Sequence, residues 1–424
     1  MKKPFPITET RQALKDALPA GDEAMSTPER EAPFTYVPPS HAAALNPENP
    51  IVEGIRGAGK SFWWGALVSE PHRLFVASAF PEAKIDRNTL ATQGFGIGPS
   101  SRRYPSKDVI ETLVQRFDAR HIWRAIIATQ IDAPDPYPSQ GSNWDAKVSW
   151  VKDHPEEMDE LLYQRNAELA EQKKLQLILF DALDRLADDW DSIRPLARSL
   201  FQVALDFRSY QNIRLKIFVR PDMLEDRDIL AFPDSSKLLA RKISLKWRRS
   251  DLYALVFQCL GNANSGGEDF RNHCLSEFGL KWHYDAENTA WVLPKNLRID
   301  EDVQKELFHA MTGPAMASGA SGHKRGFPYT WLPNHLMDGR SEVSPRSFCA
   351  ALRVAAQEEP LKGWDYPLHY KGIQAGVQQA SSIRVNEISR EDYPWIETVM
   401  NPLKGKITVP CLEREITAIW KKIE

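Results

Sequence analysis

The sequence predicts an α/β fold: a P-loop NTPase core with a mainly parallel sheet flanked by helices, followed by a helical lid and a small C-terminal helical or winged-helix-like module. Three stretches carry that expectation. Gly54-Ile55-Arg56-Gly57-Ala58-Gly59-Lys60-Ser61 fits G-x-x-x-x-G-K-[ST], the pattern of a loop that wraps a polyphosphate between a strand and a helix. Leu175 to Phe180 is an apolar run ending on Asp181, and Ile213 to Val219 is another short strand of buried type ending on Arg220. Strands buried on both faces read as apolar runs, and in open sheets of this kind ligands bind beyond the carboxyl ends of the strands.

A chain of 424 residues has room for two or three domains, and 42% hydrophobic with 26% charged residues is the composition of a soluble globular protein. A net charge of −3 argues against a protein that coats nucleic acid through its overall charge, while a local basic face stays open. Cys259, Cys274, Cys349 and Cys411 are widely spaced with no C-x-x-C pair, which speaks against a cysteine-only zinc site and for a reduced compartment. Cys259, His273, Cys274 and His283 match no zinc spacing. No apolar run has the length of a membrane span, and Met1-Lys2-Lys3-Pro4 precedes no signal core; the expectation is a cytoplasmic protein without membrane contact.

Residues 1–48 show little periodicity beyond Thr10 to Leu18 and read as a tail or strap. Residues 49–260 read as the core, with an insertion at about 80–174. Ile51-Val52-Glu53 is the first strand, kept short by Pro50 and Gly54. In the loop, Gly54, Gly57 and Gly59 permit positive φ and close backbone approach, so that successive N–H groups converge on phosphate at a helix start. Lys60 is placed to reach the β/γ-phosphates and Ser61 to ligate Mg²⁺. The nucleotide-binding set is therefore Gly54, Arg56, Gly57, Ala58, Gly59, Lys60, Ser61 and Phe62, for ATP. The side chains of Phe62, Trp63 and Trp64 read as sheet-packing core in preference to base-stacking groups.

Arg73 to Ser78 is the expected second strand, and Gly94-Phe95-Gly96-Ile97-Gly98-Pro99 a flexible loop. Asp108 to Thr129 and the charged stretch Glu156 to Lys174 have helical spacing, separated by a hard break at Pro134 to Gly141. Asp181, past the strand at 175–180, stands where a Walker B acid meets the Mg²⁺ held by Ser61; the alternative is a helix N-cap. Asp184 is placed to polarise the attacking water or to support Asp181. Arg220 is either a γ-phosphate sensor or a surface arginine. Asp191 to Tyr210 reads as helix, Lys242 to Trp247 as a last strand, and Ser250 to Leu260 as a helix capped by Ser250.

GIRGAGKS, LILFDALD and KIFVRPD together resemble the AAA+ and STAND (NACHT-like) branch of P-loop ATPases, over roughly residues 46–260. The resemblance implies Mg²⁺-dependent ATP hydrolysis, with Asp181, Asp184 and Arg220 as the catalytic set and Ser61 and Asp181 at the metal. It implies homo-oligomerisation or a partner effector protein, and a switch in which nucleotide state controls assembly, in bacterial anti-phage defence. A DNA-binding loader or a nucleotide-binding scaffold without turnover are the alternatives. Two departures stand out: Arg185 occupies a position where many relatives carry Glu, and spacing does not choose an arginine finger among Arg194, Arg198, Arg208 and Arg248.

Residues 261–360 form the expected helical lid region, with helices at Phe270 to Phe278 and Val303 to Met311. Ser344-Pro345-Arg346 opens a further helix. By the same resemblance Arg346 is a sensor-2 candidate that reaches the nucleotide from the lid; a simple exposed arginine is the other reading. Residues 361–424 show three short helices, near 373–380, 390–403 and 411–422, with Gly405 to Pro410 extended, which resembles a winged-helix module able to contact nucleic acid. Lys404, Lys406, Lys421 and Lys422 read as a solvated surface.

Overall fold

The structure is a computed structural model that describes residues 2–19, 32–85, 87–96, 102–139, 141–319, 322–387, 389, 395–408 and 411–422. The N-terminal segment carries α1 (Ile7–Ala17) and α2 (Pro39–Leu45). The core follows: β1 (Ile51–Glu53), α3 (Lys60–Val68), α4 (Glu70–Ala79), β2 (Thr89–Phe95), α5 (Lys107–Val114), α6 (Ala119–Gln130), α7 (Trp144–Asp153), α8 (Pro155–Glu171), β3 (Leu175–Phe180), α9 (Trp190–Asp206), β4 (Ile213–Val219), three short helices α10 (Pro221–Glu225), α11 (Arg227–Leu230) and α12 (Ser235–Leu239), and β5 (Lys242–Ser244).

These five strands form one parallel sheet in the order β2-β3-β4-β1-β5. Because β4 lies between β1 and β3, the carboxyl ends carrying the glycine loop, Arg220 and Asp181 stand side by side in that order. The two-residue period of the strands sorts their side chains onto two cores. Val52, Leu177, Leu179 and Phe218 face α3, α4, the N-terminal segment and the helical half of the molecule. Ile51, Ile178, Phe180, Leu215, Ile217 and Val219 face α5, α6, α7 and α9. The fold is thus a P-loop NTPase-type core with helices on both faces.

Three expectations change. Arg73 to Ser78 is helix, because Pro71 starts α4 and His72, Phe75 and Val76 are buried at helical spacing; Arg73 turns back to donate to Leu67 O and Val68 O at the end of α3. The second strand is instead Thr89–Phe95, at the edge of the sheet. Its glycine-containing end serves packing: a Cβ on Gly94 would lie 2.6 Å from the Phe180 ring, and one on Gly96 would enter the Trp64 ring. Ile97, Gly98 and Pro99 of the expected loop lie outside the described residues. The stretch 108–129 is two helices, divided where Asp118 caps α6 through Arg120 N.

The second half is helical: α13 (Arg249–Gly261), α14 (Gly267–Phe278), a β6 (His283–Asp285) and β7 (Ala290–Val292) hairpin, α15 (Lys295–Ile299), α16 (Glu301–Thr312), α17 (Pro328–Asn334), α18 (Pro345–Gln357), α19 (Tyr370–Glu387), α20 (Trp395–Met400) and α21 (Glu413–Trp420). The N-cap of α13 is Arg248, not Ser250, and Asp251 accepts its N–H at 3.1 Å. The N-terminal strap belongs to this half as much as to the core: α1 packs on α14 and α18, and Phe5, Leu14, Tyr36 and Leu45 are buried there. Helices α18 and α19 pack at backbone contact, since a Cβ on Gly372 would sit 3.1 Å from Ala355 O and one on Gly376 would overlap Ala351 O. Among the described residues of 361–424 there is no strand; 388, 390–394 in the expected second helix and 409–410 in the expected extended stretch lie outside the description.

Candidate nucleotide site

The loop between β1 and α3 is fixed at its start by Gly54 N donating to Val219 O at 3.1 Å. Gly57 and Gly59 hold φ of +76° and +105°, values that L side chains adopt only with strain. Gly59 is the N-cap of α3 and no side chain caps that helix, so its first N–H groups open onto the loop's concavity. Trp247 Nε1 donates to Ala58 O at 2.8 Å and ties the segment after β5 to the loop.

Lys60 folds over the loop, its Nζ 2.8 Å from Gly54 O and 3.0 Å from Ile55 O. Burial pushes the Lys60 amine down to about 8, against the opposing pull of Asp181 and Asp184. Asp181 is 2% exposed and one carboxylate oxygen, Oδ2, has no hydrogen-bond partner. Burial pushes its carboxyl up, and the Ser61 hydroxyl and Lys60 pull it back. A buried carboxylate oxygen without a donor is costly unless a cation completes it. With the Ser61 hydroxyl it makes a pair of hard oxygen donors of the kind Mg²⁺ takes, so these residues fit the metal. The helix-cap alternative for Asp181 is not what the structure shows: the next helix, α9, is capped by Asp189.

Asp184 sits on a 3₁₀ turn after Ala182, which has positive φ. Its Oδ2 lies 3.6 Å from Arg220 Nη1, and Arg220 Nε donates to Asp222 Oδ1 at 3.0 Å. Arg220 is partly buried at the tip of β4, between the loop and Asp181, and is no free surface arginine. Arg56, Asp184, Arg185, Trp190, Arg220 and Asp222 line one cleft at this edge. The arginines that spacing left open are engaged within the chain: Arg194 with Asp191 and Asp226, Arg198 with Ala231 O, Arg208 with Lys237 O and Arg248 with Asp251.

Across the loop stands the start of α18. Ser344 Oγ donates to Gly57 O at 3.1 Å, and a Cβ on Gly57 would collide with that hydroxyl and lie 3.5 Å from Arg346 Nε. Gly57 therefore serves both the turn and the docking of α18. Arg346 lies against the loop and is ion-paired with Glu387 at the end of α19.

Sequence reasoning missed an apolar slot beside Gly59, lined by Phe34, Tyr36, Phe62, Trp63, Trp247 and Pro345. Thr35 also lines it, and its buried hydroxyl lacks a partner. Trp63 and Trp64 are buried as expected, but the faces of Phe62 and Trp63 complete this slot. Its walls come from positions up to 311 residues apart, from Phe34 to Pro345, and no local pattern announces them. Among the described residues no His, Cys, Asp or Glu cluster of metal-binding type occurs, and no helix is long and apolar enough to cross a membrane.

No protein-family profile matches the chain, and no curated protein matches it in sequence. Among solved structures, a crystal structure of Cdc6p from Pyrobaculum aerophilum aligns over 88% of this chain and 73% of its own, with 9% identity and a TM-score of 0.31. A likeness of that size bears on neither the fold nor the function, both of which rest on the residues themselves.

Proposed function

We propose that the chain binds ATP with Mg²⁺ and hydrolyses it as an AAA+/STAND-type switch. The observation that carries this reading is the buried, unpartnered Asp181 oxygen facing Ser61 and Lys60 beneath an uncapped helix start. The loop amides from Gly57 to Phe62 and the Lys60 ammonium bind the phosphates, and Arg56 borders them. Ser61 and Asp181 hold Mg²⁺, which, when bound, neutralises charge on the phosphate oxygens. Asp184 orients water, held in place by Arg220, which faces the terminal phosphate. Arg346 closes the site from the lid.

Hydrolysis is the step at which the site departs from the family it resembles, because Arg185 and not Glu follows Asp184. That observation supports a second reading, a nucleotide-binding switch without turnover. Motif resemblance alone extends the proposal to assembly with copies of itself or a partner effector, to contact with nucleic acid through residues 361–424, and to anti-phage defence in the cytoplasm. The metal assignment is tested by Asp181→Asn: ATP binding by wild type strengthens on adding Mg²⁺ by at least about tenfold, and the variant loses that increment. Equal Mg²⁺ dependence in both proteins refutes the assignment.

A further inference from the structure

We propose that Glu387 gates the nucleotide site by holding Arg346, so that phosphate binding and docking of the last turns of α19 exclude one another. The inference rests on the reading that the loop binds nucleotide and names a regulation of that site. Arg346 stands on the first turn of α18, pinned against the loop by the Ser344 bond to Gly57 O. Its guanidinium is committed to Glu387 Oε1, and the same carboxylate accepts from Arg384 Nη1 at 3.4 Å. The Arg346 and Glu387 side chains are 21% and 16% exposed, so the pair is largely shielded from solvent.

The buried residues of α19 end at Ala380 and Val385 is 61% exposed, while Ser389 beyond it is buried. Two arginines hold this carboxylate. A polyphosphate in the loop places several negative charges beside Arg346. The guanidinium then has a competing acceptor, and Glu387 faces like charge at short range. Linkage makes the effect reciprocal: whatever Glu387 costs the nucleotide in affinity, the nucleotide costs the docked end of α19 in stability.

The test is ATP binding by Glu387→Gln, a substitution that keeps shape and removes charge. The variant binds ATP about three- to tenfold more tightly than wild type, and the gain disappears when Arg346→Ala is added. In unmodified protein, ATP speeds amide exchange over 381–387 while the loop becomes protected. Unchanged or weaker binding by Glu387→Gln overturns the gate, and weaker binding shows Glu387 to be a prop for Arg346. If that result comes with ATP binding that Lys60→Ala abolishes, the gate alone fails; if wild type shows no such binding, the nucleotide reading fails with it.

Discussion

Two glycine pairs stand at the carboxyl edge of the sheet, and they meet their surroundings in opposite ways. Gly57 and Gly59 hold backbone angles that other residues resist, and around Gly59 a Cβ would meet no atom within 4 Å. Gly94 and Gly96 are needed for space, with the rings of Phe180 and Trp64 where their side chains would be. The first pair shapes a cavity by turning the chain, and the second lets aromatic side chains close a core. At Gly59 the open space lies at a helix start and leaves room for a ligand, at Gly57 it is taken by Ser344 of α18, and at Gly94 and Gly96 contact with a buried ring marks packing.

Substitution by alanine separates the two. Gly96→Ala forces the buried Trp64 ring to move and is expected to cost about 1–3 kcal/mol in unfolding measurements, while the folded fraction keeps its ATP affinity. Gly59→Ala meets no neighbour and costs about 1–2 kcal/mol from backbone strain alone. Its main effect is on ligand, a loss of ATP affinity of at least about tenfold as the N–H groups turn away. If Gly96→Ala spoils binding and leaves stability intact, the assignment of the two pairs is reversed.

Acidity sharpens the same contrast with a smaller effect. Lys60 titrates near 8 where lysine ordinarily titrates near 10.5, with burial as the main cause. Between these values the unfolded chain holds more protons than the folded one, so this group's contribution to stability rises with pH across that window. Phosphate needs the ammonium form. ATP affinity is therefore expected to fall as pH rises through about 8, by up to about tenfold per unit, with proton uptake on binding measurable by calorimetry in buffers of different ionisation enthalpy. A flat profile from pH 7 to 9.5 contradicts a phosphate contact by Lys60.

Much of the site was legible because its signals are local. The loop, β1, β3 and β4 are short runs whose composition fixes strand and turn, and the sheet order brings Arg220 between the loop and Asp181 as a strand-end polar residue should stand. What local pattern could not give was β2, an edge strand with half-exposed polar residues whose Thr92 Oγ1 accepts from Gln176 Nε2 at 3.0 Å. It also could not separate Leu74-Phe75-Val76-Ala77 in a helix from the same run in a strand. The slot beside Gly59 and the Arg346–Glu387 pair depend on residues that meet only after folding. Ser344-Pro345-Arg346 signalled a helix start, but nothing near Glu387 signalled its partner.

The central claim is that this loop binds the phosphates of ATP through Lys60. Calorimetric titration of ATP and Mg²⁺ into wild type and Lys60→Ala tests it most directly. The account predicts saturable binding to the wild type and a loss of at least about a hundredfold in the variant, whose thermal unfolding remains cooperative. Equal affinity in the two proteins would contradict it.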